Sequence, residues 1–152
     1  MSLIKQVQQY LDLNYPGLKV RELDSSTATS ELAAQALGVE VGQIAKTLVF
    51  KSKIEYFIVV AAGDVRIDHK KLREVVGSKT RLATPEEVEQ LTGYPIGGVC
   101  SLNLKNPLRI LLDSSLSRFP VVYSAAGSAN SALPVSLEEL QRITGGEIVS
   151  LT

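Results

Sequence analysis

Residues 44–62 read IAKTLVFKSKIEYFIVVAA, from Ile44 to Ala62. Two runs rich in β-branched and aromatic residues, Ile44–Phe50 and Ile54–Ala62, flank the polar triplet Lys51-Ser52-Lys53. Apolar runs of this length joined by three polar residues predict a β-hairpin. Lys46 interrupts the first run. If Ile44, Lys46, Leu48 and Phe50 share a face by the period of two, an ammonium sits among apolar side chains, as at the rim of a pocket that holds a phosphate. If Ala45, Thr47 and Val49 form the core face instead, Lys46 is a solvated strand lysine.

On the N-terminal side of the hairpin, Leu3, Val7, Tyr10 and Leu11 fall near helical spacing over residues 3–13. Asn14-Tyr15-Pro16-Gly17 breaks that helix. Leu18 to Leu23 (LKVREL) alternates apolar and charged residues, the pattern of a half-buried strand. Thr29 or Ser30 caps a helix through Leu37, and Gly38 supplies a left-handed stop. The turn VEVGQ leads into Ile44.

On the C-terminal side, Asp68 caps a helix through about Val76. Thr84-Pro85-Glu86-Glu87 combines a cap, a first-turn proline and a capping-box glutamate, and Gly93 ends the helix they open. Leu108–Asp113 and Val121–Ser124 read as strands, and Ala125–Ala132 as a small-residue loop. Ser136 with Glu139 opens a helix to Ile143, which Gly145-Gly146 stops, and Ile148–Leu151 is a last strand. Strands and helices alternate, but without strict βαβ order. The expected fold is therefore α+β, a strongly curled mixed sheet surrounded by helices, in a single domain over residues 1–152.

The 152-residue chain can bury roughly 68–70% of its unfolded surface, so its core needs no covalent staple. Sixteen basic and sixteen acidic side chains give net charge 0, which excludes a strongly basic nucleic-acid binder but not a local basic patch. One cysteine and one histidine exclude a Cys/His zinc site within the chain, and no metal or cofactor is expected. No apolar run has membrane-spanning length, and the start of the chain lacks a secretory signal, so the expected location is the cytoplasm.

Two loops carry the candidate chemistry. Gly97-Gly98-Val99-Cys100-Ser101 follows Pro95, and adjacent glycines let main-chain N–H and C=O groups approach a ligand or simply make a turn with positive φ. Ser128 and Asn130 offer donors and acceptors for a ligand or for an Asx-type turn. Cys100 lacks an activating neighbour in sequence and reads as a small buried residue rather than a nucleophile. His69, in Asp68-His69-Lys70-Lys71, reads as a solvated helix start that can touch phosphates. The residues alone give an α/β domain with a pocket lined by Lys46 and two small-residue loops, and they name no reaction.

Four segments in order carry a resemblance. They are Thr29–Val39 (TSELAAQALGV), Ile44–Phe50 (IAKTLVF), Tyr94–Ser101 (YPIGGVCS), and Ala126-Gly127-Ser128 running on to Ser136–Leu140 (SLEEL). Together they resemble the YbaK-like aminoacyl-tRNA deacylase family, which includes the editing domain inserted in bacterial prolyl-tRNA synthetase. The resemblance covers nearly the whole chain from about residue 20 onward, and it implies a curled, barrel-like mixed sheet wrapped by helices, in agreement with the pattern of elements.

The resemblance implies a free-standing trans-editing deacylase that hydrolyses the ester of a mischarged tRNA, with tRNA(Pro) carrying a small non-cognate amino acid as substrate. It implies that Lys46 contacts the phosphate of the terminal adenosine, and that the main chain of Gly97 and Gly98 holds the aminoacyl group or reacting ester. Thr29 is implied to line the amino-acid pocket, with Val99, Cys100, Ser128 and Asn130 as further substrate-binding positions. Implied partners are the CCA end of aminoacyl-tRNA and prolyl-tRNA synthetase. The family's Gly-Gly loop closes with a proline where this chain has Ser101. Two other classes compete: a non-catalytic module that binds aminoacyl-tRNA or a nucleotide beside a synthetase, and a subunit acting through a homodimer face.

Overall fold

The computed structural model describes residues 1–152. In chain order its elements are α1 (Leu3–Asn14), β1 (Arg21–Glu22), α2 (Ser30–Leu37), β2 (Ile44–Lys51), β3 (Tyr56–Ala62), α3 (His69–Val76), β4 (Arg81–Leu82), α4 (Pro85–Thr92), β5 (Arg109–Asp113), β6 (Val122–Ser124), β7 (Ser131–Val135), α5 (Leu137–Thr144) and β8 (Glu147–Val149). Short 3-10 turns cover Val41–Gln43 and Ser114–Arg118.

The hairpin expected from residues 44–62 is the centre of the sheet. β2 and β3 pair antiparallel from Ala45 opposite Ala62 to Lys51 opposite Tyr56. The strand order is β1-β7-β6-β2-β3-β5-β8, with β4 added to β2. The sheet is mixed, since β2–β6, β3–β5 and β5–β8 are parallel and the other pairs antiparallel. It runs as an open path from β1 to β8 rather than as a closed ring.

Helix ends follow their local chemistry. Thr29, Thr84 and Ser136 each accept the N–H three residues on, and the last two complete capping boxes with Glu87 and Glu139. α2, α3, α4 and α5 end on Gly38, Gly77, Gly93 and Gly145, all left-handed.

β3 is buried on both faces, and its alternation divides the core. Ile58, Val60 and Ala62 join Ala45 and Val49 of β2 and Ile110 and Leu112 of β5 in the main cluster, covered by α1 (Val7, Leu11) and α5 (Leu140, Ile143). Phe57, Val59 and Ala61 face the other way, packing with Phe50, Leu111, Leu151 and Leu72 of α3. The Phe50 and Phe57 rings stack with centroids 5.7 Å apart. Leu72 is the one buried residue of α3, so its burial, about 1.5–3 kcal/mol, pins that helix. A third cluster joins Ile44 to Ala33 and Ala34 of α2.

The structure departs from the sequence reading at several strands, among them the last, which is Glu147–Val149 rather than Ile148–Leu151. The strand expected over 18–23 shrinks to Arg21–Glu22, which pair with Ala132 and Ser131. β7 begins at the end of the segment read as a loop. Its Pro134 lies opposite Tyr123 of β6 and beyond the reach of β1, where a missing N–H breaks no ladder. β3 starts at Tyr56 because Ser52 closes a turn over Glu55, leaving Ile54 83% exposed at the tip. β4 is a two-residue pairing with Phe50 and Lys51 that no periodicity announces.

Candidate active site

β3 occupies one edge of β2 along nearly its whole length. The opposite edge is shared. β6 pairs with Ile44 and Ala45 at one end, and β4 pairs with Phe50 and Lys51 at the other. Between them, residues 46–48 have no strand beside them. A cavity of about 280 Å³ opens at this gap. Its walls are the start of α2, the first half of β2, the turn at residues 96–99, the end of β6 and the start of β7. Small side chains dominate the lining, among them Ala28, Ser30, Ala33, Ala45, Ser124 and Ala132.

The structure places Lys46 on the face shared with Ile44 and Phe50, between the two smaller apolar clusters. Both alternatives left open by the sequence hold in part. Ala45 and Val49 face the main core, while Lys46 lies half-buried on the second covered face and lines the cavity. Its ammonium donates to the Val65 carbonyl at 2.5 Å. Burial pushes the lysine pKa down from its ordinary value, Glu31 and Asp64 oppose that shift, and Arg66 adds to it.

Thr29 lines the cavity while its Oγ accepts the Leu32 N–H at 3.1 Å, so the cap of α2 is also part of the wall. Pro95 to Gly98 form a tight turn, with the Gly98 N–H donating to the Pro95 carbonyl at 3.0 Å and Gly97 at φ +89°. Only a glycine takes that φ without strain, which explains the type II geometry. Gly97 and Val99 line the cavity, and the Gly97 N–H donates to no other group of the protein.

Gly98, Cys100, Ser128 and Asn130 stand behind that wall. Gly98 lies against the Ser128 main chain, and its carbonyl accepts the Gly127 N–H at 3.0 Å. Cys100 is 1% exposed within the main cluster, and burial pushes its thiol up to about 12. Ser128 donates to Asn130 Oδ1 at 2.6 Å, and the Asn130 amide donates to the Leu23 carbonyl at 3.2 Å. The polar groups of this pair are thus engaged in shaping the loop and tying it to β1. His69 opens α3 away from the cavity, edge-on to Phe50 at 6.4 Å.

The sequence reading missed Ser131 and Thr27. Ser131 is buried and lines the cavity. Its Oγ accepts from the Ala126 N–H (2.9 Å) and the Ser128 N–H (3.4 Å) and donates to the Ser128 carbonyl (3.0 Å). Thr27 donates to the Ser131 carbonyl at 3.3 Å and accepts its N–H at 3.2 Å. Both look like ordinary loop residues in the sequence; the hydroxyl of Ser131 organises its own loop, and the bonds that join it to Thr27 span 104 positions.

The fold and site define a class: a mixed α/β domain with a small-residue cavity cut into a sheet edge, a half-buried lysine on its wall and a free main-chain N–H in a glycine turn. Residues 24–143 match the aminoacyl-tRNA editing domain family, and the chain belongs to it. By that membership it is an aminoacyl-tRNA deacylase, a hydrolase of an ester bond.

The chain is 42% identical over 130 residues to the Bacillus subtilis protein YwhH, covering 85% of this chain and 83% of that one. It is 27% identical over 126 residues to a candidate Cys-tRNA(Pro)/Cys-tRNA(Cys) deacylase of Enterococcus faecalis, covering 82% and 77%. Proline–tRNA ligase of Thermosipho melanesiensis matches over 101 residues at 33% identity, which is 64% of this chain and 18% of the ligase. A crystal structure described as that of a candidate trans-editing enzyme for prolyl-tRNA synthetase superposes with TM-score 0.94 at 38% identity, covering 100% of this chain and 98% of the other.

Proposed function

We propose that the chain is a free-standing trans-editing deacylase that removes a small non-cognate amino acid from tRNA(Pro), working beside prolyl-tRNA synthetase in cytoplasmic translation. The carrying observation is the cavity of about 280 Å³, in whose wall alanine, serine, threonine and glycine outnumber the larger side chains (Leu37, Ile44, Leu48, Ile96, Val99 and Tyr123) and Lys46 is the one charged group. A small non-cognate side chain is accommodated there together with the ester that carries it, and selection by fit to the wall is the logic of a second sieve.

The chemistry fits the residues. An aminoacyl ester is already activated, so hydrolysis needs orientation and charge stabilisation more than a strong nucleophile. Water adds to the ester carbonyl, forming a C–O bond and a tetrahedral intermediate. The bond to the ribose oxygen then breaks, and that oxygen takes a proton. The Gly97 N–H is a preorganised donor for the carbonyl oxygen as it gains charge. The Lys46 ammonium suits the terminal adenosine phosphate, and a free ribose hydroxyl beside the ester is the group that orients water.

A second surface supports a polyanionic substrate. Lys51, Lys53, Arg73, Lys79 and Arg81 line a cleft with no hydrophobic residue. Arg81 is paired with Glu87 at 2.9 Å, leaving four cations without a carboxylate in the cleft wall. Lys51 lies five residues along β2 from Lys46, roughly 17 Å at strand rise. A tRNA whose 3′ end enters the cavity can lay backbone phosphates there.

The test is a deacylation panel with tRNA(Pro) charged separately with Ala, Cys, Ser and Pro. Accelerated loss of one or more non-cognate esters, with Pro spared, is the expected result. Binding of the CCA end without acceleration of any ester would replace this reading with the binding-module alternative.

A further inference from the structure

The Lys46 ammonium is held by a carbonyl, and that carbonyl belongs to a loop with an anchor of its own. Val65 follows Asp64, which forms a two-pronged ion pair with Arg118: Nη2 to Oδ1 at 2.5 Å and Nη1 to Oδ2 at 3.1 Å. Arg118 ends the 3-10 turn at Ser114–Arg118, where its Nε donates to the Ser115 carbonyl at 3.0 Å. Ser115 Oγ in turn accepts the Ala62 N–H at the end of β3, 3.2 Å away.

The pair also presses on the turn that feeds β2. A Cβ on Gly42 would stand 2.9 Å from Asp64 Oδ2 and 3.2 Å from Arg118 Nη2, so a larger residue there would push the two apart. Gly63, just before Asp64, donates to the Ile44 carbonyl at 2.7 Å. Three segments meet on this pair: the entry to β2, the exit of β3 and the turn after β5. The first carries Lys46 and the second carries its acceptor.

The pair adds little stability to the fold. Its side chains are 44% and 41% exposed, and solvent screens ion pairs so exposed almost completely. We infer that Asp64 and Arg118 are positioning residues for the site, clamping the Val65 carbonyl so that the Lys46 ammonium is held at the cavity wall. This inference rests on the deacylase reading for the role of Lys46, but the geometry it asserts does not.

The experiment compares wild type with Arg118→Gln, Asp64→Asn and Arg118→Lys. Three quantities are read: single-turnover hydrolysis of the ester that wild type cleaves, the melting temperature, and the Lys46 side-chain NMR signal in protein carrying isotope-labelled lysine. Lys46→Arg assigns that signal. Arg118→Gln and Asp64→Asn should lower the rate on the order of ten- to hundredfold, the usual consequence of a misplaced catalytic group. Both should shift the Lys46 signal while the melting temperature stays within a few degrees. Arg118→Lys, which keeps a charge but not the fork, should recover part of the rate.

An unmoved Lys46 signal, an unchanged rate, or a rate lost only in step with melting temperature would overturn the inference. If wild type cleaves no ester, the deacylase reading fails, and the Lys46 signal still decides whether the clamp exists.

Discussion

Gly98 and Ser128 pass backbone to backbone: a Cβ on Gly98 would stand 2.7 Å from both the Cα and the N of Ser128. The Gly127 N–H bonds to the Gly98 carbonyl across the same contact. The two loops singled out in the sequence thus form one unit, and Gly98 is glycine because no side chain fits between them. Gly98→Ala should force them apart and destabilise the fold by about 1–3 kcal/mol, with loss of deacylation as Gly97 and Val99 shift on the cavity wall. Thermal melting checks the first effect and the ester panel the second. An alanine variant melting with wild type would show that the loops yield freely.

Cys100 should be inert in the native protein. Its thiol is buried, and its ionisation is pushed from 9.0 to about 12 by that burial. The neutral form is therefore favoured by folding. Its contribution to stability is complete below the unfolded value and is lost as pH rises from about 9 towards 12. Iodoacetamide at pH 8 should leave Cys100 unlabelled and hydrolysis intact, and labelling should appear only in denaturant. Rapid native labelling coupled to loss of activity would show that Cys100 is reactive and overturn the reading of it as a buried packing residue.

Ser131→Ala should cost more than replacement of either residue expected to bind substrate on that loop. Removing Ser131 Oγ strands the Ala126 N–H, the Ser128 N–H and the Ser128 carbonyl. Unsatisfied buried groups cost about 1–3 kcal/mol, or a melting shift of about 2–12 °C in a domain this size. Ser128→Ala loses a hydroxyl that is half-buried, and its shift should be smaller. The reverse order in a melting series would place the loop's centre at Ser128.

The hairpin, the capped helices and the glycine stops were legible because each depends on residues within a few positions of one another. Ile44–Ala62 carried the sheet's centre, and Thr84 with Glu87 carried a whole helix. β7 was not legible, because Ser131 and Ala132 are strand residues only through pairing with Arg21 and Glu22, more than 100 positions away. The site divides in the same way. Lys46, Thr29, Gly97 and Val99 were readable and line the cavity, while Gly98, Cys100, Ser128 and Asn130 shape it from behind. Ser101, the position where the resemblance implied a proline, is buried with no partner for its hydroxyl, and the turn at Pro95–Gly98 forms with serine there.

Lys46→Met should make the protein more stable at neutral pH and remove its activity. The lysine is pushed below its ordinary value chiefly by burial, so the folded state disfavours the ammonium that the unfolded chain carries freely. Between the folded value and 10.5 the unfolded state binds more protons, and wild-type stability rises with pH across that window. Below the window both states are charged, and the full penalty for burying the charge is present. Methionine keeps the stem that packs between the two apolar clusters and removes the charge. The variant should therefore exceed wild type at pH 7, and the gap should close as pH approaches 10.5. Denaturant melts across that range measure it. A methionine variant weaker than wild type at pH 7 would mean that the bond to Val65 outweighs desolvation, and that Lys46 holds the loop as much as the loop holds Lys46.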